Sequence, residues 1–248
     1  MMNRLLFGSE LSVDRQYLLD HLPARSFYRN YPSAFEHAPQ VHKSITKRVL
    51  ERRTYRFGTF ERSEFPLLPV KQATIFPLGA VVQHNKVRPF GDHTRSRTNE
   101  AARIREHSLK ALDELKRKLT RGRKMRMSDV KGAFTLLSLV PWLWDYMFFI
   151  WFDVDLPLEG QRRPNILYCH TFADFGTTGC PLEWFEFFST TLDLARMERI
   201  LTMDLVLYVD DISHIGDEDD DVDAEGERLG DYLAEAGIPL EGDKTRSG

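Results

Sequence analysis

Apolar positions recur along this chain with two periods, and each period predicts a different kind of element. Ile104, Ala111, Leu112, Leu115 and Leu119 fall at helical spacing among Arg, Lys and Glu, predicting an amphipathic helix over residues 100–119 with a basic outer face. Trp184, Phe185, Phe187, Phe188, Leu192 and Ala195 predict a buried helix ending near Ile200. Residues 205–209 read as a strand and 212–215 as its hairpin return, with two aspartates at the bend. Val222, Leu229, Tyr232, Leu233 and Ala236 predict a further helix closed by Gly237. The acidic run at 217–223 suits the entry of that helix, where negative charge meets the positive end of the dipole.

Elsewhere the pattern is more broken. Ser44 is expected to cap a helix running through Val49 and Leu50, with Gly58 ending it. From residue 65 to 99, Pro66, Pro69, Pro77 and Pro89 punctuate short β-prone runs, which predicts strands and turns. The apolar run 134–152 has the length of a membrane span, but Pro141 and Asp145 sit near its centre. A central aspartate costs about 3 kcal/mol to insert into a bilayer, so the run reads as a helix followed by a strand. The expected class is α+β, an antiparallel sheet with packed helices.

With 248 residues the chain can bury a substantial core. Cys169 and Cys180 form no metal-type or redox-type pair, which fits a reducing compartment, cytoplasmic or nuclear. The short apolar stretch at the N-terminus is no signal peptide, and no membrane partner is expected. The net charge of −3 hides a division. Residues 101–126 hold ten Lys/Arg and three Asp/Glu, whereas 210–243 hold one Arg and fourteen Asp/Glu. Net charge therefore neither supports nor excludes a nucleic-acid partner.

The chemistry concentrates in carboxylates. Tyr208-Val209-Asp210-Asp211 ends an apolar strand in two adjacent acids. Such neighbours repel and favour protonation unless a cation neutralises them. Asp129 closes a second short segment, Ser128-Asp129-Val130-Lys131-Gly132-Ala133-Phe134. Three carboxylates from two strand ends make a platform for two Mg²⁺ ions, with Mn²⁺ as a substitute. Magnesium takes few protein carboxylates and completes its shell with substrate phosphates, and a pair of ions can clamp an in-line phosphoryl transfer.

These segments resemble the motifs of reverse transcriptases from retroelements and retroviruses. Asp129, Val130, Ala133 and Phe134 match the family's first aspartate motif, Asp-hydrophobic-x-x-Ala-aromatic, and Tyr208 to Asp211 match its Tyr-x-Asp-Asp motif. Between them, Phe175-Gly176-Thr177-Thr178-Gly179-Cys180-Pro181 resembles the glycine turn leading into a helix, with Cys180 where the family often has a small residue. Upstream, Lys86-Val87-Arg88-Pro89-Phe90-Gly91-Asp92 resembles the fingers motif, followed by Asn99. Downstream, residues 236–244 resemble a strand approaching a lysine, Lys244. The order of the five is that of the family.

The resemblance implies a polymerase palm with interleaved fingers over residues 67–248, preceded by a helical or irregular segment at 1–66. It implies RNA-dependent DNA synthesis by a retrotransposon-like element, on an RNA or DNA template-primer with deoxynucleoside triphosphates. Asp129, Asp210, Asp211 and the Val130 carbonyl would hold the metals. Lys86 and Arg88 would hold the triphosphate, and Ala133, Gly176 and Gly179 would line the nucleotide site. Phe134 would exclude a 2′-hydroxyl, and Lys244 would donate a proton to the leaving pyrophosphate. The family's thumb is not recognised after residue 244, so a further polypeptide supplying a thumb or ribonuclease H is expected.

Two rival readings remain. One is a catalytically inactive relic of the same fold that binds nucleic acid or protein. The other is a metal-dependent glycosyltransferase using Asp153 and Asp155, which follow an apolar strand as Asp-x-Asp. No nucleotide-binding βαβ series precedes that strand.

Overall fold

A computed structural model describes residues 8–68, 70–83, 85–103, 111–152, 163–241 and 246–247. The chain divides into two compact units, each built from separate stretches of sequence. The first comprises Arg105–Leu136 and Pro181–Gly248, with Met1; the second comprises Met2–Ile104 and Leu137–Cys180. Both mix sheet and helix, in keeping with the α+β class. Among the described residues, no helix is long and apolar enough to cross a membrane.

Among the described residues, the second unit holds the α-helices α1 (Arg15–His21), α2 (Pro32–Glu36) and α3 (Ala38–Leu50). Its strands are β1 (Arg25–Phe27), β2 (Thr54–Thr59), β3 (Ala73–Ile75), β4 (Leu78–Gln83), β5 (Lys86–Gly91), β7 (Phe148–Phe152) and β8 (Asn165–His170). Five of them form a sheet in the order β1-β3-β7-β8-β2, which corrects the expected antiparallel sheet in part, because β1–β3 and β3–β7 pair in parallel; β4 with β5 forms a separate antiparallel hairpin. Phe149, Trp151, Ile166 and Tyr168 share one face of the sheet and bury against Val41 and Ile45 of α3. A buried ion pair ties α3 into the fold, with Arg48 Nη1 2.6 Å from Asp174 Oδ1. The second oxygen of Asp174 accepts from the Gly91 amide at 3.1 Å.

The end of α3 corrects the expectation that Gly58 terminates it. Arg52 takes the left-handed conformation, φ +58°. The Arg53 amide then donates to Arg48 O and the Arg52 amide to Val49 O, the bond pair that satisfies the last carbonyls of a helix. Gly58 lies in β2 instead, at an irregularity of register between Arg56 and Gly58. The run 134–152 is also corrected in part. It forms two 3₁₀ turns, Ala133–Leu136 and Pro141–Tyr146, in place of one helix, and then the expected strand β7. Pro141 lacks the amide that a continuing helix would need.

The first unit holds β6 (Lys124–Asp129), β9 (Asp204–Tyr208), β10 (Asp211–Gly216) and β11 (Arg246–Ser247), in the order β11-β6-β10-β9. Helix α4 (Ala111–Lys118) falls within the predicted basic helix, and Ala111 packs on Val206 and Ile215, but residues 100–103 do not begin it: they end a 3₁₀ turn (Thr98–Ala101) and bridge through Ala102 to Val13. Helix α5 (Cys180–Met197) carries Trp184 and Phe188, both with no exposed surface. Helix α6 (Val222–Glu235) starts at Asp221, whose side chain accepts from the Ala224 amide at 3.0 Å. It closes on Gly237 at φ +78°, with the Ile238 amide donating to Leu233 O, as expected of a C-terminal glycine.

Candidate metal centre

Three strands bring the acids together. β10 pairs with β6 so that Asp211 stands opposite Asp129, and it pairs with β9 so that Asp211 stands opposite Tyr208. Directly opposed residues share a face, because side chains alternate along a strand with period two. Asp129, Asp211 and Tyr208 therefore form a row on one face, and Asp210 occupies the turn beside it. One ligand atom from each of Asp129, Asp210 and Asp211 can be chosen so that all lie within 4.8 Å of one another. Asp129 is nearly buried, 7% exposed, while Asp210 and Asp211 are half-buried.

Backbone bonds fix this arrangement from both sides. The Val130 amide donates to Asp210 O at 2.9 Å, joining the end of β6 to the β9–β10 turn. On the other side the Glu241 amide donates to Asp129 O at 2.7 Å and the Lys131 amide to Pro239 O at 2.9 Å. Val209 adopts φ +57°, a left-handed conformation that a β-branched residue seldom takes. The indole Nε1 of Trp184 donates to Val209 O at 3.0 Å. Sequence reading assigned Trp184 to the core only. A hydrogen bond across 25 residues leaves no mark in hydrophobic periodicity.

The donor set has a definite chemistry. Three carboxylates are hard oxygen ligands suited to Mg²⁺, Mn²⁺ or Ca²⁺, and among the described residues no imidazole or thiolate joins them to favour zinc. Beneath the site, His214 of β10 is fully buried, and neither ring nitrogen has a hydrogen-bond partner. Burial pushes its pKa down to about 4 against the opposing pull of Glu225. Glu225 is itself fully buried and accepts from the Thr202 amide, the Thr202 hydroxyl and the Met203 amide, fixing the loop that enters β9.

The remaining candidates divide between the units. Val130 and Ala133 are buried and Phe134 is half-buried, all in the unit of the aspartates. Gly132 turns there at φ +66° and accepts from both the amide and the hydroxyl of Thr135. Lys86 and Arg88 belong to the second unit, exposed on the same face of β5. Gly176 and Gly179 lie in that unit as well, where a Cβ would stand 2.1 Å from Gly91 O and 1.7 Å from Leu11 O respectively. Both positions exclude any side chain for reasons of packing within the unit. Asn99 clamps this turn, its amide nitrogen donating to Gly176 O at 2.8 Å and its oxygen accepting from the Thr178 amide at 3.0 Å. Two segments that resembled separate motifs thus meet through one side chain. Lys244, Asp153 and Asp155 lie outside the described residues.

No protein-family model matches the chain, and no curated protein matches it either.

Proposed function

We propose that this chain is the fingers-and-palm part of a reverse-transcriptase-like polymerase, which adds deoxynucleotides to a primer on an RNA or DNA template. The observation that carries the reading is the convergence of Asp129, Asp210 and Asp211, from two places 81 residues apart in sequence, onto ligand atoms within 4.8 Å. The order of the motifs that resemble the family adds to it.

In the reaction the primer 3′-hydroxyl oxygen attacks the α-phosphorus of the incoming nucleotide. The bond to pyrophosphate breaks, and the hydroxyl proton is released. Two Mg²⁺ ions held by the three aspartates and the Val130 carbonyl would supply charge neutralisation at the attacking and departing oxygens. The chain's own side chains do the rest. Lys86 and Arg88 are the cations of the second unit that would suit a triphosphate, Arg88 through a planar fork of donors. Phe134 sets the width of the sugar site and excludes a 2′-hydroxyl, and Lys244 gives a proton to the leaving pyrophosphate.

Primer extension by the full chain tests the reading, at high primer-template concentration and low salt, where electrostatic binding is strongest. Extension that needs Mg²⁺ or Mn²⁺ and prefers deoxynucleotides supports it. No extension, together with no Mg²⁺-dependent nucleotide binding, would replace it with a noncatalytic relic of the same fold.

A further inference from the structure

We propose that strand β2 and helix α3 of the second unit form a docking surface for single-stranded nucleic acid, with Tyr55 and Phe57 stacking on bases and Lys43, Lys47, Arg52 and Arg56 contacting phosphates. The surface lies within one unit and does not depend on the aspartates of the other, so it goes beyond the reading of the metal centre.

The rings are the first observation. β2 is an end strand of its sheet and pairs, among the described residues, with β8 alone. Tyr55 is 58% exposed and Phe57 62% exposed. Single exposed apolar residues are ordinary on a protein surface. Here two aromatic rings stand on one strand, each backed by a further ring: Tyr55 by Trp144 at 6.4 Å and Phe57 by Phe148 at 5.9 Å between centroids. That backing holds each ring in place while leaving part of its surface open.

Charge identifies the occupant. Residues 43–62 carry seven Lys/Arg against two Asp/Glu. Arg48 is consumed by Asp174, and Arg62 lies over the Phe27 ring. Glu51 is shared between Lys47 at 3.7 Å and Arg53 at 3.5 Å. Lys43, Arg52 and Arg56 are exposed and have no ion pair among the described residues. An uncompensated cationic strip favours a polyanion over another β-strand, although the open edge of β2 offers backbone groups to either.

Placement fits a single strand. Tyr55 stands opposite Cys169, which stands opposite Phe148, so these share one face of the sheet. Arg56 stands opposite Tyr168, on the other face, where α3 packs through Val41 and Ile45, with Lys43 and Lys47 exposed on the same helix. A strand crossing this edge can lay bases on the rings and phosphates along the cations. A duplex hides its base faces and cannot use the rings.

The test is fluorescence anisotropy of a labelled oligouridine with the full chain in EDTA, so that binding has no route through a metal at the aspartates. Tyr55→Ala and Phe57→Ala should each weaken binding about tenfold. The double substitution Arg52→Gln, Arg56→Gln should reduce the slope of log K against log salt by about 1.4, two single-strand phosphate contacts. All these side chains are exposed, and melting temperatures near that of the parent would show that the variants fold. Failure of the parent to bind at low salt would overturn the proposal, as would aromatic variants that bind like the parent. A parent that is dimeric, with Tyr55→Ala and Phe57→Ala monomeric and oligouridine binding unchanged, would make β2 a strand-pairing edge between copies and overturn it equally. Loss of nucleotide incorporation with this binding intact would count against the polymerase reading alone.

Discussion

The β4–β5 hairpin turns through Asn85 at φ +60°, and the β9–β10 hairpin turns through Val209 at φ +57°. Asparagine takes that conformation readily because its short polar side chain bonds to nearby backbone. Valine does not, and a strained residue of this kind costs on the order of 1–3 kcal/mol. The Val209 tip is held by the Trp184 indole and by the bond between Val130 and Asp210. At Asn85, among the described residues, no such tie is present. The tip that must place a carboxylate is imposed by its surroundings, whereas the tip near the exposed cations Lys86 and Arg88 follows from its own residues.

The comparison is sharpest in catalysis. Asp210→Asn should reduce incorporation by about a thousandfold or more, since several kcal/mol of charge stabilisation are lost and each 1.36 kcal/mol is tenfold. Lys86→Ala or Arg88→Ala should raise the nucleotide KM by about tenfold to a hundredfold, the worth of one charge-assisted hydrogen bond. Steady-state primer extension measures both. Equal losses from the two hairpins would erase the distinction between them.

Acid should weaken the roots of both hairpins. His93 lies just beyond β5 and His214 within β10, and both are fully buried. Burial lowers the pKa of His93 against Asp174 and Asp92, with Arg48 adding to the depression. His214 is lowered to about 4 by burial against Glu225, with Arg126 and Arg196 adding. His170 lies well below its ordinary value through burial, Arg48 and His93. A folded pKa below the unfolded value means that the unfolded chain binds more protons as pH falls below about 6.5. Stability is therefore complete above that pH and declines toward the folded pKa, with His214 alone contributing a loss of about 2 kcal/mol at pH 5. Melting temperatures should drop from pH 7 to pH 5, and His214→Leu should make the drop shallower. A flat profile over that range would contradict the assignment of these histidines as neutral.

Trp184→Phe keeps most of the buried ring and removes the bond to Val209 O. It should cost about 1–2 kcal/mol, the penalty of an acceptor left without its donor, and it should also reduce the extra thermal stabilisation produced by Mn²⁺. Lower stability with an unchanged Mn²⁺ response would leave Trp184 as packing alone. The smallest effects lie in the turns themselves. Val209→Gly should raise stability by about 0.5–1 kcal/mol by removing a strained left-handed valine. Asn85→Gly should change it by only a few tenths. Calorimetry on the pair checks whether strain is confined to the carboxylate tip.

Much of the first unit was legible because its patterns are strong. The helix from 180 to 197, the two strands of the carboxylate hairpin and the helix closed by Gly237 follow from periodicity and capping. The aspartate trio followed from acids at strand ends. The end of α3 did not, because the rule sought a glycine while Arg52 takes the left-handed position. Helix α5 ends the same way, with Arg199 at φ +61° and the Ile200 amide donating to Ala195 O. The long-range ties inside each unit were invisible for another reason. Trp184 to Val209, Asn99 to Gly176 and Arg48 to Asp174 join residues 25, 77 and 126 positions apart, and each rests on a single side chain.

The pairing of Asp211 with Asp129 also constrains length. Side chains in a strand change face at every residue, so removing or adding one residue inside β6 or β10 sends the acid beyond it to the opposite side. The identity of the acids would be untouched and the cluster would still be lost. Strand length is therefore as strict a requirement of the cluster as the aspartates themselves. The 217–221 turn after β10 has no such parity, and an engineered insertion there should leave the cluster intact.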